Sequence, residues 1–134
     1  MGCPITFQSK LQSEITLSTT ESEYIALYQA MRDIISMINL IDEVREFLPV
    51  KPITPKVRCK VYEDNASCIK VAEAPMMTPR TKHIALKYHH FRYMVNQKRI
   101  TIEHCRTENM TADIFTKPLP DVLFRKHRLA LMGW

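Results

Sequence analysis

Glu23, Asp64 and Asp113 are the residues of this 134-residue chain whose types and placement could do chemistry. Glu23 falls near the head of a predicted long helix, Asp64 at the C-terminal tip of a predicted strand, and Asp113 in the opening turns of a helix after the last strand. Carboxylates at strand ends and adjoining helix starts can gather at one edge of a sheet, where hard oxygen donors select Mg2+ or Mn2+ over softer metals. Two such ions, about 4 Å apart, activate a water and stabilise the leaving oxygen in phosphodiester cleavage. Each acid also has an ordinary role open to it. Glu23 can reach water at a helix end, Asp64 can cap the helix that follows, and Asp113 can sit at the positive end of a helix dipole. If those roles suffice, nothing requires the three to converge.

The elements that must position them are legible in the hydrophobic pattern. Leu27, Met31, Ile34, Ile38, Ile41, Val44 and Leu48 recur at steps of three and four, which predicts one amphipathic helix over 18–48. Extending that stripe one step toward its start lands on Glu23, a carboxylate at a position marked as turned inward. Ser18 and Glu21 have the spacing of a capping box, so Glu21 is expected to turn back onto the helix start. Before the helix, Ile5 and Phe7 suggest a short strand within 4–12 that needs a partner elsewhere in the sheet. After it, Pro49, Pro52 and Pro55 make an extended connector. Val57, Cys59 and Val61 then alternate with polar residues as a strand over 57–62, followed by a helix carrying Ile69, Val71 and Ala72.

Arg80, Lys82 and His83 form a cationic loop after Pro75, a candidate phosphate contact or simply a solvated loop. A third helix is expected over 84–97 with Ile84, Tyr88, Phe91 and Val95 inward, and a last strand over 100–105. Lys117 to Pro120 break the chain ahead of a terminal amphipathic segment, VLFRKHRLALMGW, with a basic face.

Length and composition narrow the class. The chain is long enough for one domain and short for two. A net charge of +5 favours a polyanionic partner over an acidic one. Cys3, Cys59, Cys68 and Cys105 are scattered without zinc-site spacing, and the adjacent His89 and His90 cannot share a helix face, so reduced thiols are expected. No apolar run is long enough to cross a bilayer, and the first ten residues lack a signal-peptide layout. An intracellular protein, cytoplasmic or nuclear, with no membrane partner is the expectation.

The segments LSTTESEYIAL, VYEDNASCIKV, TKHIALKYHHFR and TENMTADIFTKPLP, in this order, resemble the ribonuclease H domain that follows the reverse transcriptase in Ty1/copia-type retrotransposon polyproteins. The resemblance covers nearly the whole chain and implies an α/β, ribonuclease-H-like fold. It makes Glu23, Asp64 and Asp113 the catalytic, metal-binding acids, with Mg2+ or Mn2+ as cofactor, and matches His83 to a further family position beside the nucleic-acid contacts Arg80 and Lys82. It implies an RNA–DNA hybrid as substrate, and the upstream reverse transcriptase and integrase parts of the polyprotein as partners. Two earlier strands of that family, the first bearing an Asp that bridges both metal ions, have no counterpart before Ile5. The expectation is therefore a single truncated domain over 1–134, an incomplete mixed sheet with its first two strands missing, flanked by helices, with a basic C-terminal tail at about 117–134. Its metal site would be incomplete. Such a chain would be an inactive remnant of the hybrid nuclease or, alternatively, a non-catalytic nucleic-acid-binding or interaction remnant.

Overall fold

In the computed structural model, residues 4–48, 56–74 and 90–134 are described. Helix α1 (Thr19–Glu46) begins at Ser18, whose hydroxyl accepts the Glu21 N–H at 3.2 Å. The Glu21 carboxylate reaches back one residue beyond the cap, accepting the Leu17 N–H at 2.8 Å, so its role is structural. Tyr24, Ile25, Leu27, Met31 and Ile38 are buried along the helix, with Ile34 and Ile35 packed against them.

The inward face thus holds Leu27, Met31 and Ile38, as the stripe predicts, and at its N-terminal end the buried position is Tyr24 rather than Glu23. Glu23 lies at the edge of that face and is exposed, which corrects the expectation that it points inward. Farther along, Ile41, Val44 and Leu48 are 39%, 50% and 53% exposed. Length explains this. A 28-residue helix runs about 42 Å, whereas a five-residue strand spans about 17 Å, so such strands cover only part of it.

Strands β1 (Cys59–Glu63) and β2 (Ile100–His104) pair in parallel, with Cys59 opposite Ile100 and Glu63 opposite His104. Parallel partners need a crossover between them, and α2 (Ala66–Glu73) and α3 (Arg92–Asn96) lie on it. Ile100 and Ile102 join Cys68 and Ala72 of α2, Phe91 and the α1 face in one core. Lys60, Tyr62, Thr101 and Glu103 alternate away from it, and Lys60 pairs with Glu103 at 2.7 Å. The strand expected over 57–62 starts two residues later and ends one later, which makes Glu63 its last inward residue.

The stretch 4–17 forms no strand, and among the described residues the sheet is two-stranded and purely parallel rather than mixed. Ile5 is exposed, and Phe7 instead stacks on Phe115, ring centroids 5.1 Å apart and planes 4° from parallel. The alternation that suggested a strand fails at Ser9 and Lys10, and side-chain contact replaces a ladder. The loop with Arg80, Lys82 and His83, the connector prolines and the first half of the predicted third helix lie outside the described residues.

At its end, α3 closes with a Schellman turn. The Lys98 N–H donates to the Val95 carbonyl and the Arg99 N–H to that of Met94. Lys98 holds the left-handed position of this turn, φ 54°, which glycine adopts without steric cost and lysine at about 1 kcal/mol. After β2, two 3-10 turns (Thr107–Asn109 and Thr111–Phe115) lead to α4 (Asp121–Met132), where the terminal amphipathic segment was expected. Lys126 of α4 donates to the Glu108 carbonyl and to Asn109 Oδ1, tying that helix to the first turn.

One polar link joins α1 to the sheet. Asp42 accepts the Val57 N–H at 3.1 Å and pairs with Arg99, whose Nε donates to the Val57 carbonyl at 2.9 Å. The Val57 hydrogen bond, together with Arg99, holds the Asp42 carboxyl below its usual range. Because the folded value is lowered, this link stabilises above an ordinary pKa of 3.8 and is lost as pH falls through the folded value. Asp42→Ala should reduce the unfolding free energy by about 1–2 kcal/mol at pH 7. In urea titrations, the gap from wild type should narrow at pH 3.

Candidate functional site

The C-terminal end of β1 is the acidic end of the sheet. Glu63 is the last strand residue, and the period-two alternation that turns Cys59 and Val61 inward also turns Glu63 inward, leaving it 8% exposed. Its Oε1 accepts the Asn65 N–H at 3.0 Å. Asn65, not Asp64, caps α2, its side-chain oxygen accepting the N–H groups of Ser67 and Cys68, each at 3.0 Å. Asp64 is thereby released from the capping role that its position made available. Its Oδ2 instead accepts the Thr107 hydroxyl at 3.3 Å from beyond β2.

Asp113 enters from the second 3-10 turn, not from the opening of a regular helix. It is 8% exposed, and its Oδ1 pairs with Lys117 Nζ at 2.9 Å. Glu23 enters from the second turn of α1. Desolvation raises its carboxyl pKa although the residue is exposed overall; the Asp64 and Asp113 charges push in the same direction, and Lys117 opposes them. Burial, then Glu23 and Asp64, raises Glu63 against the Asn65 hydrogen bond. Lys117 is held protonated by its bond to Asp113, with Asp64 and Glu23 contributing. Beneath these groups the Cys68 thiol is buried and pushed far up by burial and by the charges of Glu63, Glu23 and Asp64. Glu23 of α1 therefore lies within reach of the charges of Asp64, Asp113 and Lys117, and Glu63 within reach of those of Glu23 and Asp64.

Oxygen donors of this kind have the chemistry that Mg2+ or Mn2+ prefers. Among the described residues, no three Asp, Glu, His or Cys side chains are already grouped to hold a metal ion. Lys117 takes one oxygen of Asp113, and a hydroxyl is bonded to Asp64. Balancing clustered carboxylates with a lysine relieves their repulsion without chelation.

Sequence reasoning passed over Glu63 and Lys117. The signal for Glu63 was the alternation itself, carried two residues past Val61. For Lys117 it was the spacing of four from Asp113, within reach on one helical turn.

Glu63 yields a stability test. Its folded pKa is raised, so the protonated form favours folding; that contribution is full below the ordinary value of 4.5 and is lost as pH rises through the folded value. Glu63→Gln keeps the acceptor for Asn65 and removes the charge. Denaturant unfolding should find it more stable than wild type by on the order of 1 kcal/mol at pH 7, and the two should become similar at pH 4.

Comparison with known proteins gives the chain its relatives. It is 33% identical over 123 residues to the retrovirus-related Pol polyprotein from transposon TNT 1-94 of Nicotiana tabacum, a match covering 89% of this chain and 8% of that protein. It is 31% and 30% identical over 122 residues to the corresponding polyproteins from transposons RE2 and RE1 of Arabidopsis thaliana, in each case 91% of this chain and 8% of the relative. The chain thus spans about 8% of the length of the relatives it matches. No protein-family model matches it, and no solved structure matches it significantly. No helix among the described residues is long and apolar enough to cross a membrane. Across about nine-tenths of the chain, its homologues at 30–33% identity are Ty1/copia-type retrovirus-related Pol polyproteins.

Proposed function

We propose that this chain corresponds to the ribonuclease H segment of such a polyprotein, with a fold of the ribonuclease-H-like class, and that as it stands it binds RNA–DNA hybrid without cleaving it. What supports the reading is that Asp64 at the end of β1 and Asp113 in the turn after β2 both lie close enough to Glu23 of α1 to bear on its charge, with Lys117 paired to Asp113 at 2.9 Å and within reach of all three. Acids that served only as separate caps would have no reason to share a counter-ion. The parallel β-α-β unit supports the reading as well, since open α/β sheets present their ligands at the carboxyl ends of the strands.

The non-cleaving part rests on the ion pair between Lys117 and Asp113, which engages a carboxylate oxygen that a metal ion would need. In this reading the acids meet the sugar-phosphate backbone with one ammonium as their balance. The chain works inside the cell beside the reverse transcriptase and integrase parts of the polyprotein.

Two measurements test this. Purified protein incubated with a labelled RNA–DNA hybrid in Mg2+ or Mn2+ should leave the RNA strand intact; cleavage that Glu23→Gln abolishes would overturn the non-catalytic assignment. If the acidic end faces the hybrid, the Asp64→Asn/Asp113→Asn double variant removes repulsion from phosphate. It should bind the hybrid roughly three- to tenfold more tightly in fluorescence anisotropy, while Asp33→Asn on the exposed side of α1 changes little. Equal affinities for wild type and the double variant would sink the placement of nucleic acid at this end.

A further inference from the structure

Opposite the acids, at the N-terminal ends of the two strands, lies a cavity of about 720 Å3. It opens where Lys56 to Arg58 lead into β1 and Gln97 to Arg99 lead into β2. Ile41 and Val57 give it apolar surface. Its charge is of one sign: Arg45 and Arg99 are tied to Asp42, while no ion pair joins Lys56, Arg58 or Lys98 to a described carboxylate.

Lys98 adds an independent observation. It occupies the left-handed position of the α3 Schellman turn, where glycine would be the unstrained choice. A strained lysine at the wall of a cationic cavity sets backbone stability against charge placement. Like charges gathered on one wall repel, and an anion relieves them.

We propose that this cavity binds the phosphate of a nucleotide unit, either at the end of a nucleic-acid strand or as a free nucleotide. Its volume falls within the roughly 300–1,000 Å3 of small-ligand sites, which suits one nucleotide and excludes a duplex. Lys56, Arg58 and Lys98 would meet the phosphate, and Ile41 and Val57 the less polar sugar and base edge. The parallel register places this site at the far end of the strands from Glu63 and Asp64, so it does not depend on what the acidic end does.

Lys98→Gly separates binding from folding, because it removes the cation while relieving the turn. The variant should melt at a higher temperature than wild type and yet bind a 5′-phosphorylated, fluorescein-labelled dodecathymidine roughly three- to tenfold more weakly at low salt. Its slope of log affinity against log salt should fall by about 0.7. Lys56→Ala/Arg58→Ala should weaken binding further, whereas Lys70→Ala on the exposed side of α2, a loss of one charge as in Lys98→Gly, should leave it unchanged. Competition by adenosine 5′-monophosphate identifies a free nucleotide as a sufficient ligand; no competition, with the Lys98→Gly effect intact, identifies the strand end. Affinities of the Lys98 and Lys56/Arg58 variants within twofold of wild type would overturn the proposal. So would an equal loss in Lys70→Ala, which would assign binding to net charge alone.

Discussion

The pairing of β1 with β2 is the constraint on which the remaining structure depends. Two parallel strands cannot be joined by a tight turn, so the chain between them must leave one end of the pair and return to the other. That requirement puts α2 and α3 on the crossover and buries Cys68, Ala72 and Phe91 against Ile100 and Ile102. It also fixes polarity. Once Cys59 is opposite Ile100 and Glu63 opposite His104, everything that follows a strand gathers at one end and everything that precedes a strand gathers at the other.

The two ends carry opposite chemistry. After the strands come Asp64 and the turn bearing Asp113, with Glu23 of α1 beside them; before the strands come Lys56, Arg58 and Lys98. At each end an opposite charge limits the repulsion, Lys117 paired with Asp113 among the acids and Asp42 paired with Arg99 among the cations. Asp42 is lowered and Glu63 raised from their ordinary carboxylate ranges, so the ends respond in opposite senses as pH changes. A core this small gives little margin, which makes both counter-ions matter for folding as well as for binding.

Long periodic patterns were legible in the sequence, and local chemistry less so. The apolar stripe located α1 to within about two residues at either end, because 28 residues of 3.6-fold repetition outweigh individual exceptions. Its inward face was read correctly at Leu27, Met31 and Ile38 but not in its extension to Glu23: Tyr24 is amphipathic and Glu23 extends the numerical stripe, yet burial favours the ring, which packs on Phe91 at 5.6 Å. Ile5 and Phe7 read as a strand because alternation specifies a face without supplying a partner edge. Asp64 was read as an available cap, and the turn geometry gave that role to Asn65 instead. At the site, three acids were picked out by position. Lys117 and Glu63 were missed because a counter-ion and a buried strand-end acid acquire meaning only once the elements are assembled.

The stack of Phe7 on Phe115 bears on the order in which the molecule is assembled. The two rings come from nearly opposite ends of the chain, and Phe115 shares a 3-10 turn with Asp113. A contact of such sequence separation bears a large loop-closure entropy and gains little until both partners are already in place. The local hydrogen bonds of α1 carry no such penalty, and the α2–β2 contacts, closer in sequence, carry a smaller one. The turn bearing Asp113 therefore receives this support late in folding, and the acidic end is completed after the core that carries it.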